Sequence, residues 1–218
     1  MKKALLTGVA ALFLATGTVH AADFTIEGSF YVYINGDIVE GDAAKFDRLV
    51  QQIQQGDGAL LITLNSDGGL LSEGLAIAET ITTKRFPTRV LSGNTCASVC
   101  GLIWLAGVLR HADVRARIGF HAIYDVKNGH EIGMGNAMVG AFLTKLGYPY
   151  ETVAYVTSAR PKSMAWLTYE DAVQYGISYT AMDATKKGYF VDVCPKTPTT
   201  RVGEGTILMP PNCLKRYW

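Results

Sequence analysis

A short apolar segment that ends in turn-forming residues constrains the fold of this chain more than any other feature. Residues 59–64 (ALLITL) are rich in leucine and isoleucine, and Asn-Ser-Asp-Gly-Gly follows at 65–69. A short apolar run bounded by turn residues is typical of a strand buried on both faces. Residues 70–83 then continue with helical spacing. The pattern therefore predicts a strand, a tight turn and a helix in succession.

The same alternation of strand and helix extends along most of the chain and predicts an α/β fold. Strands are expected at residues 31–34, 59–64, 88–92 and 116–121, and helices at residues 43–55, 70–83, 99–106 and 134–146. Strands that alternate with helices pair in parallel through right-handed crossovers. We therefore expect a largely parallel sheet covered by helices.

The strongest chemical feature is a serine between two cysteines, directly before a second apolar run. Residues 95–107 read TCASVCGLIWLAG, and His121 follows Ser98 by 23 positions in RIGFHAIYD. Nucleophilic catalysis needs a hydroxyl on a supported turn and an imidazole within hydrogen-bond reach. Gly68 and Gly69 permit backbone conformations that can expose an N–H, and such a donor can hold a developing oxyanion. Taken singly, each feature also has a structural explanation, because serines cap helices and glycine pairs form turns.

Together these segments resemble the proteolytic subunit of the Clp protease and, more widely, the Clp/crotonase superfamily. Five collinear segments carry the resemblance: YINGDIVEGDAAKF (33–46), LITLNSDGGLLSEGLAIAETI (61–81), CASVCGLIWLAG (96–107), RIGFHAIYD (117–125) and WLTYEDAVQYGI (166–177). The resemblance implies a single domain with the ββα superhelix of that superfamily, and association into a homo-oligomer. It also implies Ser98 as the nucleophile and His121 as the general base, with the N–H groups of Gly68 and Val99 as the oxyanion hole.

One element of the Clp pattern is missing. The orienting aspartate of that family lies two residues before the aromatic residue that matches Trp166, and this chain has Met164 there. A methionine cannot accept the second N–H of the histidine or stabilise the imidazolium. Three alternatives follow: another acceptor takes the role, the enzyme works as a Ser–His dyad, or the site is degenerate. The candidate acceptors are Ser163, Asp125 and Asp171.

The amino terminus has the layout of a secretory signal. Lys2 and Lys3 precede an apolar stretch at residues 4–15, and residues 19–21 (VHA) form a cleavage site. We therefore divide the chain into a signal peptide at 1–21, the Clp/crotonase-like domain at 22–185 and a Gly-, Pro- and Thr-rich extension at 186–218. This layout predicts a periplasmic or secreted protein.

All four cysteines lie in the part of the chain predicted to be exported, where disulfides form readily. Four cysteines permit three pairings. We favour Cys194–Cys213, which would close the carboxy-terminal tail into a loop, and this choice leaves Cys96 and Cys100 to each other on either side of Ser98. A redox role for the second pair stays open. A metal site is not predicted, because no CxxC pair occurs and no histidines accompany the cysteines at ligand spacing.

These observations favour an exported serine hydrolase, specifically an ATP-independent peptidase that acts through an acyl-enzyme on Ser98. Its substrate would be a peptide or an unfolded protein, with no cofactor and no ATPase partner in that compartment. With 20 basic and 19 acidic residues, the chain has no charge excess that would favour nucleic acid or an anionic membrane. The alternative is a catalytically degenerate member of the fold that binds peptides or assembles with itself. An acyl-CoA enzyme of the crotonase type is a more distant alternative.

Overall fold

The protein is built on a seven-stranded mixed sheet and a smaller three-stranded sheet, with six helices among the described residues. The structure, a computed structural model, describes residues 21–28, 30–53, 60–186, 190–195 and 213. The strands are β1 (Asp23–Glu27), β2 (Tyr31–Asn35), β3 (Leu61–Asn65), β4 (Thr88–Val90), β5 (Thr95–Ala97), β6 (Arg110–Asp113), β7 (Arg117–Phe120), β8 (Ala165–Trp166), β9 (Tyr179–Met182) and β10 (Phe190–Val193). The helices are α1 (Asp42–Ile53), α2 (Leu71–Lys84), α3 (Val99–Leu105), α4 (Gly133–Lys145), α5 (Tyr150–Val156) and α6 (Tyr169–Tyr175).

The large sheet has the strand order β1-β2-β3-β4-β6-β9-β10. Its five central strands are parallel, and β1 and β10 pair antiparallel at the two edges. The central strands alternate with helices, as the sequence predicts, so each crossover returns the chain to the same end of the sheet. The inward side chains of β2 and β3 are fully buried: Val32, Ile34, Ile62 and Leu64. The predicted α/β class is therefore confirmed.

The small sheet has the order β5-β7-β8 and supports the segments of chemical interest. Strand β5 runs parallel to β7, with Cys96 opposite Ile118 and Ala97 opposite Gly119. Strand β8 pairs antiparallel with β7. Because parallel strands end at the same edge of a sheet, the residues that follow β5 and β7 lie close to each other.

Helix α3 is a core element, as expected from its apolar composition. All seven of its residues are buried, including Trp104 at 0% exposure. A helix that is apolar on every side needs protein on every side. Helix α2 and strand β7 supply two of these contacts: a Cβ on Gly74 would lie 2.1 Å from Val99, and one on Gly101 would lie 2.5 Å from Phe120. The position of α3 therefore follows from close backbone approach at two glycines.

The end of β6 is tied to the turn that follows β9 by the buried carboxylate of Asp113. This carboxylate accepts hydrogen bonds from the backbone N–H groups of Arg115, at 2.9 Å, and Ala184, at 3.0 Å. Burial of the carboxyl acts to raise its pKa, but these hydrogen bonds favour the charged form and bring the pKa below the ordinary 3.8. Ionised Asp113 therefore stabilises this junction.

The predicted extension contributes a strand to the domain. Strand β10 pairs with β9, and Cys194, directly after it, forms a disulfide with Cys213. The rest of the segment 196–218 lies outside the described residues, as do residues 1–20 of the predicted signal peptide. Within the part of the chain that the structure describes, no helix is long and apolar enough to cross a membrane.

Candidate active site

Ser98 occupies the sharp turn between β5 and α3, in a backbone conformation that residues other than glycine rarely adopt. Its φ is 55° and its ψ is −126°, and its N–H donates to the carbonyl of Gly119 at 2.9 Å. A non-glycine residue in such a region costs on the order of 1–3 kcal/mol and persists only where the surroundings hold it. Strained turns of this kind are concentrated at functional sites. The conformation therefore marks Ser98 as a candidate functional residue.

Gly68 packs directly against this turn. A Cβ at Gly68 would lie 2.7 Å from Ser98 Cβ and 2.9 Å from the carbonyl oxygen of Ala97. The φ of Gly68 is +109°, which also favours glycine. The double-glycine turn therefore lies beside Ser98, and no larger residue fits at its first position.

The backbone N–H groups around Ser98 differ in their partners. The N–H of Gly68 donates to the hydroxyl of Ser66 at 3.1 Å, whereas that of Gly69 has no acceptor among the described residues. Because the peptide between the two glycines is trans, the N–H of Gly69 points opposite to the carbonyl of Gly68, which is bound by the N–H of Ile38 at 2.7 Å. The N–H of Val99, at the first position of α3, likewise has no described acceptor. Gly69 and Val99 therefore each carry an unoccupied N–H near the serine.

His121 follows β7 and has a defined tautomer. Its Nδ1 lies 2.7 Å from the carbonyl oxygen of Ala122. A carbonyl can only accept, so the proton is on Nδ1 and the lone pair of a neutral ring is on Nε2. Ala122 is 1% exposed, and its own N–H donates to the carbonyl of Ala159 at 2.8 Å. The ring of Tyr124 packs against the imidazole at a centroid distance of 5.2 Å.

None of the three candidate orienting side chains hydrogen-bonds His121 in the structure. The carboxylate of Asp125 accepts a hydrogen bond from the N–H of Lys127 at 2.8 Å, within the loop that contains both residues. The carboxylate of Asp171 caps α6 through the N–H of Thr168 and also accepts from the hydroxyl of Tyr155 at 3.3 Å. The third candidate, Ser163, is exposed, and the neighbouring Met164 packs against Gly119. The acceptor of the second imidazole N–H is instead a main-chain carbonyl.

Ser98 and His121 line one narrow cleft, whose volume is about 10 Å³, room for about one water molecule. The rest of its wall is apolar and consists of Leu102, Phe120, Ile123, Val139 and Val156. No hydrogen bond joins the serine hydroxyl to the imidazole in the described conformation, although catalytic hydrogen bonds are often long before substrate binds. Chemically, the cleft combines a hydroxyl and an imidazole beside an apolar wall, with unpaired N–H donors near the serine.

A disulfide between Cys96 and Cys100 encloses Ser98. Both cysteines are 0% exposed, and their Cα atoms are 5.1 Å apart. No free cysteine occurs among the described residues, and within the same residues no group of histidine, cysteine, aspartate and glutamate side chains could hold a metal ion.

The arrangement of sheets, helices and cleft is a Clp protease-like fold, as the sequence resemblance implies. A mutant of the 1510-N membrane-bound stomatin-specific protease in complex with a substrate peptide is similar at a TM-score of 0.56 and 19% identity, over 75% of this chain and 86% of that chain. The ClpP protease catalytic domain from Plasmodium falciparum is similar at a TM-score of 0.55 and 20% identity, over 72% and 87%. ClpP1 from Listeria monocytogenes gives 0.54 and 21%, over 71% and 92%. No family model and no curated protein matches the chain. At these identities the similarity establishes the fold.

Proposed function

We propose that the protein is an exported serine hydrolase, an ATP-independent peptidase that cleaves peptide bonds through an acyl-enzyme on Ser98. The observation that carries the proposal is that one cleft is lined both by a serine at a strained turn and by a histidine whose Nδ1 is bound to a main-chain carbonyl. The similar solved structures of the same fold are those of proteases, which supports the proposal. The two disulfides agree with export, because such bonds persist in oxidising compartments.

In the first chemical step, Nε2 of His121 accepts the proton of the Ser98 hydroxyl as the oxygen attacks the substrate carbonyl. The carbonyl oxygen of Ala122 holds the Nδ1 proton and stabilises the imidazolium that forms. The imidazolium then gives its proton to the leaving amine, which releases the first product. Water, activated by the same histidine, hydrolyses the ester on Ser98 and regenerates the hydroxyl. A carbonyl dipole thus takes the orienting role that an aspartate has in a triad.

The oxyanion of each tetrahedral intermediate would be held by backbone donors. Val99 supplies one N–H from the start of α3, as the resemblance implies. For the second donor the resemblance implies Gly68, but the N–H of Gly68 already donates to Ser66. We therefore assign the second donor to Gly69, whose N–H has no acceptor among the described residues. Two fixed donors at a developing oxyanion commonly contribute several kcal/mol to catalysis.

The substrate would be a short or unfolded peptide, because the cleft is narrow and a folded protein could not present its backbone to Ser98. The proposal includes a homo-oligomer and no ATPase partner. Met134, at 72% exposure, and Met138, at 43%, leave α4 with an exposed apolar face that supports self-association.

Labelling by a fluorophosphonate tests the function directly. The folded wild type should be labelled at Ser98, and labelling should be lost in Ser98→Ala and should fall at least 100-fold in His121→Ala. Ser72→Ala is the matched control, since this serine is exposed and does not line the cleft. If the folded wild type is not labelled at Ser98, the proposal that the protein is a serine hydrolase is refuted.

Met164, which stands where the Clp pattern has an aspartate, supports the alternative that the protein is catalytically degenerate. On that alternative the protein binds unfolded polypeptide without cleaving it. Saturable binding of a denatured protein such as casein, equal in the wild type and in Ser98→Ala, combined with no label at Ser98, would favour it.

A further inference from the structure

The Cys96–Cys100 disulfide spans the strained turn that carries Ser98. Cys96 belongs to β5, and Cys100 is the second residue of α3, so the covalent bond connects the two elements that the turn separates. The sequence separation of the two cysteines is only 4. Any change in the conformation of Ser98 must therefore fit within a closed loop of five residues.

Each end of this loop is anchored independently. On the strand side, the N–H of Ala97 donates to the carbonyl of Ser66 at 3.0 Å. On the helix side, Val99 packs against Gly74 and Gly101 packs against Phe120. Between these anchors, the N–H of Ser98 donates to the carbonyl of Gly119. The disulfide thus adds a covalent cross-link to the main chain that runs through the turn.

A short loop makes this disulfide a weak global stabiliser, which points to a local role. In the chain-entropy account, a disulfide stabilises a protein more when it closes a longer loop. The Cys194–Cys213 bond has a sequence separation of 19, compared with 4 for Cys96–Cys100. The two bonds in one chain therefore make a matched pair, in which the shorter loop surrounds the reactive serine and the longer loop lies in the tail.

We infer that the Cys96–Cys100 disulfide is a positioning element that holds Ser98 in its reactive conformation, so that the hydrolase is active in the oxidised form and impaired in the reduced form. This inference rests on the proposed function. Reduction breaks the S–S bond with two electrons and two protons and leaves two thiols. A small dithiol supplies both and is itself oxidised to a cyclic disulfide. The turn then loses its covalent constraint, and Ser98 can relax to a commoner backbone conformation.

The test compares a double variant, Cys96→Ala/Cys100→Ala, with the matched control Cys194→Ala/Cys213→Ala. We expect the first to react with a fluorophosphonate about 10- to 100-fold more slowly than the wild type, since a displacement of about 1 Å can cost on the order of 100-fold. With a peptide substrate, kcat should fall while KM stays within about twofold. The control should keep the wild-type labelling rate although its melting temperature falls further. Equal labelling rates in the first variant and the wild type would overturn the inference.

Reduction with a dithiol is a second test of the inference. Unlike the alanine substitutions, it removes no side-chain atoms and so leaves no cavity. The control variant Cys194→Ala/Cys213→Ala retains only the disulfide around Ser98, so reduction of this variant isolates its effect. Labelling should fall on reduction and return on reoxidation with oxidised glutathione. Full labelling of protein whose two remaining thiols have been verified by mass would contradict the inference.

Hydrogen exchange separates failure of this inference from failure of the proposed function. In the reduced control variant, the amide of Ser98 should exchange faster because its hydrogen bond to Gly119 is loosened, whereas the amides of α2 should not change. This readout needs no activity. If the wild type is never labelled, the hydrolase is refuted, and the exchange rate at Ser98 still decides whether the disulfide holds the turn.

Discussion

Met164→Asp tests whether a main-chain carbonyl has replaced the orienting aspartate. Strands β7 and β8 pair antiparallel with Phe120 opposite Ala165, and one step further along this register places His121 opposite Met164. The side chain at 164 also packs against Gly119, on the face of β7 that His121 shares. A carboxylate at this position is therefore within reach of the imidazole and competes with the carbonyl of Ala122 for the Nδ1 proton.

The expected gain is modest because the correct tautomer is already present. Loss of the aspartate from a triad costs about 10⁴-fold, since the imidazole then adopts the wrong tautomer. Here the bond from Nδ1 to the Ala122 carbonyl already fixes the tautomer. A hydrogen bond to a charged group contributes about 1.3 kcal/mol more than one between neutral groups, so kcat should rise about tenfold. The carboxylate should also favour the protonated imidazole and move the ascending limb of the pH–rate profile to higher pH.

The assay is kcat and its pH profile on a peptide substrate for the wild type, Met164→Asp and the uncharged control Met164→Asn. All three should melt cooperatively, which shows that the substitution is tolerated. If Met164→Asp is no faster than Met164→Asn, the carboxylate does not assist His121 and the argument for an incomplete triad is refuted. Single replacements of Ser163, Asp125 and Asp171 would then show whether one of them acts during turnover.

Two further substitutions test the geometry of the turn and of the fold. Gly68→Ala should lower the Ser98 labelling rate at least 100-fold, because its Cβ would lie 2.7 Å from Ser98 Cβ. Gly93→Ala is the control, since Gly93 also has positive φ, +78°, but no atom within 4 Å of the added Cβ; equal losses in the two variants would contradict the steric argument. Asp113→Asn should lower the free energy of unfolding at pH 7. Because the pKa of Asp113 is depressed in the folded state, its stabilisation is present above pH 3.8 and is lost as the pH falls through the lower folded value, so the two unfolding curves should converge in acid. A difference that persists in acid would show that the charge of Asp113 is not its cause.

The local elements of the fold could be predicted from the sequence because their signals lie within a few residues. Helix α2 was expected at 70–83 and spans Leu71–Lys84, and α3 was expected at 99–106 and spans Val99–Leu105. Apolar periodicity and turn residues determine such segments without reference to distant parts of the chain. The short strands β5 and β8, and the polar strand β6 (RHAD), carry no such signal. They exist because a neighbouring strand supplies their hydrogen bonds.

The sequence by itself determined the α/β alternation, the turn at Ser98, the double glycine and the absence of an aspartate at position 164. Only the tertiary structure decided how these features meet. The pairing of β5 with β7 brings Ser98 and His121 to one cleft. The N–H of Gly68 is bound by Ser66, whereas that of Gly69 has no acceptor among the described residues. The partner of the imidazole could not be found in advance, because every residue has a carbonyl and no side chain identifies the one from Ala122. Main-chain groups acquire a role from the path of the chain in space, and that path depends on contacts between residues far apart in sequence.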